Sequence, residues 1–227
     1  MPLKETLVVL DFDGLLIDSY DLLKKTFDKC GLDVGDEGRF QNRRKFLKYI
    51  GGGKELIGNL VNLSLPKKKK IREELTETYN EQGKIYPEFV TLINDMIETP
   101  TIHVGIVSRN FTHHPGKTIR QVLKNSKVNE TAMDFIIPIS AGVKKGNVLE
   151  GMKASSYKHC IFAADEISDY RAATETGYNK IFMASYGFDT KDRLIKKAEI
   201  PEDIIFDTPK KLGKRLEKFL LKSSGLH

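Results

Sequence analysis

Short apolar runs alternate with amphipathic stretches along most of the chain. The runs do not alternate polar with apolar residues, which is typical of strands buried on both faces of a parallel sheet. They predict strands at residues 6–10, 102–108, 135–138, 159–165, 180–184 and 204–206. Between them, apolar residues spaced three and four apart predict helices at residues 19–30, 87–98, 118–123, 147–153 and 170–176, and from 209 onward. This alternation predicts an α/β protein with a doubly wound, Rossmann-like parallel sheet.

The segment between the first two predicted strands differs from the rest, because it shows helical patterns and no convincing strand. Further helices are predicted there at residues 39–50, 55–63 and 66–82. The chain is therefore expected to form a core domain from residues 1–17 and 86–227. Residues 18–85 would form an inserted, all-helical cap domain.

The composition is that of a globular protein with a substantial core, 40% hydrophobic and 30% charged. The two cysteines, Cys30 and Cys160, are far apart in sequence, so no disulfide framework is expected and a reducing compartment fits best. The N-terminus shows no signal-peptide pattern, and no apolar run approaches the ~18 residues that span a membrane. We expect a cytoplasmic protein without membrane contact, as a monomer or a homodimer.

The formal net charge of +6 permits anionic ligands but does not demand nucleic acid. The clearest basic run, Lys67 to Lys70, is best explained as a solvated helix face. No aromatic interleaving or nucleic-acid motif accompanies it, so nucleic-acid binding is not expected.

Polar side chains occur where three of the predicted strands end. Asp11 and Asp13 follow the first strand. Ser108 ends the second, Asp165 ends the fourth, and Asp169 lies one helical turn further on. The carboxyl ends of the central strands of a doubly wound sheet meet at one ligand-binding crevice. Carboxylates that close together repel each other unless a cation lies near them, and Mg²⁺ prefers such oxygen ligands.

Two lysines add positive charge to this predicted site. Lys144 and Lys145 lie just before a predicted helix, where an ammonium group can hold a carboxylate nucleophile in place. Carboxylates, a hydroxyl and an ammonium group together suit phosphoryl transfer. One carboxylate can attack phosphorus while a second moves the proton, and the cation and hydrogen-bond donors stabilise the phosphoryl oxygens.

Four short motifs follow one another along the chain: Asp11-Phe12-Asp13-Gly14, Ile106-Val107-Ser108, Lys145-Gly146 and Asp165-Glu166-Ile167-Ser168-Asp169. Each motif is weak alone, but the ordered set resembles the haloacid dehalogenase-like (HAD) superfamily with a helical cap. The subgroup it resembles contains phosphoglycolate phosphatase and β-phosphoglucomutase. The resemblance implies a Mg²⁺-dependent phosphatase that hydrolyses a small phosphorylated metabolite through an aspartyl-phosphate intermediate.

The resemblance also implies a role for each site residue. Asp11 would be the nucleophile and a Mg²⁺ ligand. Asp13 would be the general acid and base, with its backbone carbonyl on the metal. Asp165 would bind Mg²⁺, and Asp169 would anchor the metal's waters or the lysine. Ser108 and the site lysine, Lys145 or Lys144, would hold phosphate oxygens. The predicted substrate-binding residues are Gly14, Ser108 and Lys145, together with Arg109 and Asn110, which follow Ser108 at the sheet's edge and so lie beside the crevice.

The identity of the site lysine stays open between Lys145 and Lys144. The pattern Lys-Gly-x-Val-Leu is the more usual approach to the helix in this family, which favours Lys145. The chain also departs from the family pattern, since Ala164 replaces the usual glycine and Glu166 adds a charge beside Asp165. Neither change removes a catalytic group, but the substrate cannot be transferred by analogy.

Three alternative functions remain. A phosphomutase would return the phosphoryl group to a sugar instead of to water. A phospho-ligand-binding protein with weak activity would fit the extra charge of Glu166. Dehalogenation at carbon needs neither a metal nor an acid at the second position, so Asp13 argues against it.

Two further features have structural explanations. Asp18 is expected to cap the first cap helix. His113 and His114 are expected in a plain loop, because adjacent residues rarely face one metal ion.

Overall fold

The computed structural model describes residues 5–31, 65–140, 142–153 and 157–223. Within them the strands are β1 (Thr6–Leu10), β2 (Ile102–Ser108), β3 (Phe135–Pro138), β4 (His159–Ala164), β5 (Lys180–Ala184) and β6 (Ile205–Phe206). All pair in parallel, in the order β3-β2-β1-β4-β5-β6. This is the strand order of a doubly wound Rossmann-type sheet, which confirms the predicted fold class.

The sheet is flanked by helices. They are α1 (Ser19–Lys29), α2 (Leu65–Gln82), α3 (Pro87–Glu98), α4 (Pro115–Asn125), α5 (Lys145–Met152), α6 (Ile167–Glu175), α7 (Lys191–Ala198) and α8 (Pro209–Ser223). Helices α4, α5 and α6 begin two or three residues earlier than predicted. The sequence did not predict α7, because its residues are mostly charged and Leu194 is its one buried side chain.

The core lies on both faces of the sheet. In β1, Val8 and Leu10 face one side, and Leu7 and Val9 face the other; all four are completely buried. The first face packs against α1, α2, α3, α4 and α8, and the second against α5 and α6. Because both faces are covered, the strand shows no polar alternation, which is why its sequence is an uninterrupted apolar run.

The part of the predicted cap that the structure describes is helical. Helix α1 starts after Asp18, whose Oδ1 accepts a hydrogen bond of 3.1 Å from the backbone N–H of Asp21. This confirms the predicted N-cap. The helices predicted at residues 39–50 and 55–63 lie outside the described residues, so the division into core and cap stays a prediction. Among the described helices, none combines the length and apolar character needed to cross a membrane.

Candidate active site

The register of the sheet brings polar side chains to one edge. Leu10 of β1 pairs with Ile106 of β2 on one side and with Ala163 of β4 on the other. Just beyond these pairs, at the carboxyl ends of the strands, lie Asp11, Ser108 and Asp165. The predicted crevice therefore forms at the centre of the sheet, where the strand order reverses direction.

Lys145 joins two of the predicted acids. It is the first residue of α5, and its Nζ donates a hydrogen bond of 2.9 Å to Oδ2 of Asp11 and another to Oδ2 of Asp169. All three side chains are buried. Lys144, the alternative, lies exposed at the N-cap of the same helix. The geometry thus places Lys145, and not Lys144, against the acids.

The ionisation states of Asp11, Lys145 and Asp169 depend on one another. Burial opposes ionisation of Asp11, but the positive charge of Lys145 and the hydrogen bonds from Asp169, Lys145 and the backbone N–H of Phe12 together outweigh it and lower the pKa of that carboxyl. Burial likewise opposes the charged form of Lys145, yet Asp11 and Asp169 raise the pKa of its ammonium group. Asp11 is therefore held as a carboxylate, the form in which it can act as a nucleophile.

Asp165 is in a different electrostatic state. Its side chain is fully buried, and Oδ2 accepts a hydrogen bond of 2.6 Å from the backbone N–H of Phe188. Its other oxygen, Oδ1, has no hydrogen-bond partner among the described residues. Burial, with the negative charges of Asp11 and Glu166, raises the pKa of Asp165 well above its usual value. A buried carboxylate oxygen without a partner is costly, so this position calls for a cation.

The carboxylate oxygens at this position fit a hard divalent cation, which takes oxygen ligands. Among the described residues, no group of three or more His, Cys, Asp or Glu side chains could hold a metal ion by itself. A site built on Asp11 and Asp165 therefore needs a further oxygen from the backbone or from water. The ligand set implied by the family resemblance includes such an oxygen, the backbone carbonyl of Asp13.

Asp13 lies apart from the lysine group, in a ring of hydrogen-bond donors. Its Oδ1 accepts hydrogen bonds from the hydroxyl groups of Ser19 (2.8 Å) and Tyr79 (2.7 Å). Its Oδ2 accepts a hydrogen bond of 3.0 Å from Nδ2 of Asn110. Burial raises the pKa of Asp13 to about 6, although these donors favour the charged form. A carboxyl group with that pKa can both give and take a proton near neutral pH.

The predicted substrate-binding residues differ in their placement. Ser108 is buried, and its Oγ has no hydrogen-bond partner among the described residues. Arg109 is exposed, and its Nη2 donates a hydrogen bond of 2.7 Å to the carbonyl of Val143. Asn110 is engaged with Asp13, and the backbone N–H of Gly14 donates to Oγ of Ser19 at 3.2 Å. Within the described part of the chain, the Ser108 hydroxyl is therefore unengaged, whereas Arg109, Asn110 and Gly14 have partners.

The loop after β5 contributes residues that the sequence did not predict. The backbone N–H of Phe188 holds Asp165, and Oδ2 of Asp189 accepts a hydrogen bond of 2.9 Å from the backbone N–H of Ile167. Asp189 is also paired with Arg193 at 2.8 Å. This loop thus fixes both Asp165 and the start of α6, which carries Asp169.

Two glycines allow the backbone to approach Asp165 closely. A Cβ atom at Gly187 would lie 2.2 Å from Oδ2 of Asp165 and 2.6 Å from the carbonyl oxygen of Gly14. A Cβ atom at Gly14 would lie 2.1 Å from the same Oδ2, and Gly14 has a positive φ of 77°. The Gly-x-Asp pattern after the fifth strand was the available signal, since an isolated glycine there suggests close backbone approach. Ser19 and Tyr79 carried no comparable signal.

Gly187→Ala is expected to destabilise the protein by about 2 kcal/mol, because the added methyl group must displace Asp165 or the Gly14 backbone. Thermal unfolding monitored by circular dichroism measures the change. Gly151→Ala is the matched control: it lies in α5 with no heavy atom near the new methyl group, so it should be neutral or stabilising. An equal loss of stability in both variants would contradict the close approach.

Comparison with known proteins identifies the fold. No protein-family model matches the chain, and no curated relative does. Many solved structures match, and those described below match over nearly the whole chain. A haloacid dehalogenase-like hydrolase from Streptococcus pneumoniae has 18% sequence identity and a TM-score of 0.57, covering 94% of this chain and 99% of its own.

Two other structures agree with this match. A predicted phosphoglycolate phosphatase from Haemophilus somnus has 17% identity and a TM-score of 0.62, covering 95% of this chain and 100% of its own. A Thermotoga maritima protein assigned as a β-phosphoglucomutase has 17% identity and a TM-score of 0.59, covering 94% and 99%. The chain therefore has the haloacid dehalogenase-like fold, which confirms the resemblance drawn from its motifs at the level of the fold.

Proposed function

We propose that this protein is a Mg²⁺-dependent phosphatase that hydrolyses a small phosphorylated metabolite. One observation carries the proposal: Lys145 holds the carboxylate of Asp11 in a buried site, beside an Asp165 oxygen that has no partner among the described residues. The similarity to structures named as phosphatases supports it. At these identities the similarity itself concerns only the fold.

The site residues divide the work of phosphoryl transfer. Asp11 attacks phosphorus, the ester P–O bond breaks, and an aspartyl-phosphate forms. Asp13 gives its proton to the leaving alcohol oxygen. It then takes a proton from water, which attacks phosphorus, releases inorganic phosphate and restores Asp11. Asp13 must change its protonation state twice, which suits a carboxyl group with a pKa of about 6.

Other residues bind and position the reacting groups. Lys145 and Ser108 would hold phosphoryl oxygens, because the first carries a positive charge and the second has a hydroxyl group without a hydrogen-bond partner among the described residues. Asp169 keeps Lys145 in place. Asp11, Asp165 and the backbone carbonyl of Asp13 would hold Mg²⁺, which would neutralise negative charge on the phosphoryl group. The cytoplasmic location and the monomeric or homodimeric state stay predictions.

Hydrolysis of a panel of phosphomonoesters, followed by the release of inorganic phosphate, tests the proposal. With Mg²⁺ present, at least one member should turn over. Removing divalent cations with EDTA should abolish that turnover, and excess Mg²⁺ should restore it, because the uncompensated acids need a cation. Addition of Na⁺ at equal ionic strength is the control and should restore nothing. A panel without any turnover, or turnover that EDTA leaves unchanged, would refute the proposal.

A phosphomutase is the second candidate, since one of the similar structures is assigned that activity. It would use the same Asp11 and Asp13 chemistry but return the phosphoryl group to a second hydroxyl of the sugar. Measuring sugar-phosphate isomerisation and phosphate release in the same reaction separates the two. A phosphatase releases phosphate in step with substrate loss, whereas a mutase forms the isomer.

A further inference from the structure

Helix α2 reaches the loop that follows β2 through a row of polar side chains. Arg72, Thr76 and Tyr79 are spaced four and three residues apart, which places them on one face of the helix. Arg72 donates hydrogen bonds to the backbone carbonyls of Phe111 (Nε, 3.2 Å) and Thr112 (Nη2, 3.1 Å). Oγ1 of Thr76 accepts one of 2.8 Å from the backbone N–H of His113. These bonds set the position of α2 relative to the loop that begins after Ser108.

The same loop presents Asn110 to Asp13. Oδ1 of Asn110 accepts a hydrogen bond of 3.1 Å from the backbone N–H of Thr112, so its Nδ2 is turned towards Asp13. Tyr79, at the end of the row on α2, donates to the other oxygen of Asp13 at 2.7 Å. The carboxyl group is thus held from α2 and from the loop after β2, and these two segments are themselves joined.

Packing of the Tyr79 ring does not by itself explain its hydroxyl group. The Tyr79 side chain is only 2% exposed, next to the buried Leu75, so a phenylalanine would fill the same apolar space. A buried hydroxyl group is costly unless it forms a hydrogen bond, and this one forms it with Asp13. Ser19 supplies a further donor to the same oxygen at 2.8 Å.

We infer that Tyr79 is a positioning residue that holds the carboxyl group of Asp13 in the orientation needed for proton transfer. Tyr79 acts through Asp13 and exchanges no proton with the substrate. Since the inference rests on the proposed function, it concerns the step in which Asp13 protonates the leaving oxygen. Because Tyr79 lies on α2, the same contact makes this proton transfer depend on how α1 and α2 pack against the core.

Leaving groups of different acidity test the inference. A p-nitrophenolate ion departs without a proton, whereas an alkoxide needs one, so only the alkyl ester depends strongly on a well-placed general acid. For Tyr79→Phe, kcat/KM should fall about tenfold or more with the best alkyl phosphate of the panel. With p-nitrophenyl phosphate, kcat/KM should stay within about threefold of the wild type.

Two further variants control the experiment. Tyr178→Phe removes another buried hydroxyl group, which donates to the carbonyl of Leu149 at 3.3 Å. It should leave kcat/KM unchanged for both substrates. Ser19→Ala removes the neighbouring donor to Oδ1 of Asp13 and should shift the ratio of the two kcat/KM values in the same direction as Tyr79→Phe. It also keeps the test decisive if Tyr79→Phe does not fold.

The outcomes separate this inference from the proposed function. A wild type without turnover refutes both. If the wild type is active, the inference alone is refuted when Tyr79→Phe lowers both kcat/KM values equally, lowers neither or raises them. The same outcomes apply to Ser19→Ala if Tyr79→Phe does not fold. A selective loss with the alkyl ester, absent in Tyr178→Phe, supports the inference.

Discussion

Asp11→Asn is expected to abolish turnover of every phosphomonoester that the wild type hydrolyses. A neutral amide is a poor nucleophile and cannot form the aspartyl-phosphate, so kcat should fall by about 10⁴-fold or more. The fold should persist, because asparagine keeps an oxygen that can accept the 2.7 Å hydrogen bond from the backbone N–H of Phe12. Phosphate release under saturating substrate measures the loss, and circular dichroism checks the fold.

Asp13→Asn provides the matched comparison for this experiment. It keeps the nucleophile but removes the group that activates water. After exposure to p-nitrophenyl phosphate, intact-mass spectrometry should find a phosphoryl adduct on Asp13→Asn and none on Asp11→Asn. If Asp11→Asn keeps more than about a tenth of wild-type kcat, Asp11 is not the nucleophile.

Lys145→Met is expected to reduce both activity and stability. The ammonium group of Lys145 is the cation between the buried carboxyl groups of Asp11 and Asp169, and its loss leaves both without that partner. Removing one partner of a buried ion pair costs about 3 kcal/mol, and removing a positive charge from a phosphoryl site costs about 10²-fold or more in kcat/KM. Methionine is unbranched, so the packing along the side chain is largely kept. Urea unfolding and steady-state kinetics measure the two effects.

Lys144→Met is the control, because it removes the same charge from the neighbouring residue. Lys144 is exposed at the N-cap of α5, so the free energy of unfolding should change by no more than about 0.5 kcal/mol. Activity should stay close to that of the wild type. Equal effects of the two substitutions would show that the net charge matters and not the contact of Lys145 with the acids.

Much of the fold could be predicted because burial leaves a direct trace in the sequence. Strand β1 is covered on both faces, so Leu7 to Leu10 are all apolar. Asp11 follows it directly, and the ends of parallel strands share one edge of the sheet. The sequence of helix α7 shows no such apolar pattern, since only Leu194 is buried and the mostly charged residues around it are typical of a loop. Prediction from periodicity therefore succeeded for the apolar segments and failed for α7, whose charged residues leave a single buried side chain.

The candidate site was predictable to a smaller extent. The sequence placed the acids at the strand ends but favoured Lys145 over Lys144 only through the family pattern, because adjacent residues differ only in which way they point. The orientation of α5 buries one and exposes the other. The expected contact of Asn110 with substrate stays a prediction, and the structure adds a hydrogen bond from its amide to Asp13. That bond depends on the path of the loop after β2, which α2 holds from a distant part of the chain.

The sequence by itself determined the sheet, the order of its motifs and the kind of chemistry that the acids suit. These properties follow from local patterns of burial and from the residues next to each strand. Only the tertiary structure decided which lysine meets Asp11, that Tyr79 reaches Asp13 and that Gly187 lies against Asp165. Tyr79 and Asp13 are 66 positions apart, so no periodicity connects them. Their contact arises because both segments bury apolar surface on the same core, and that shared packing places one buried hydroxyl group beside one carboxyl group.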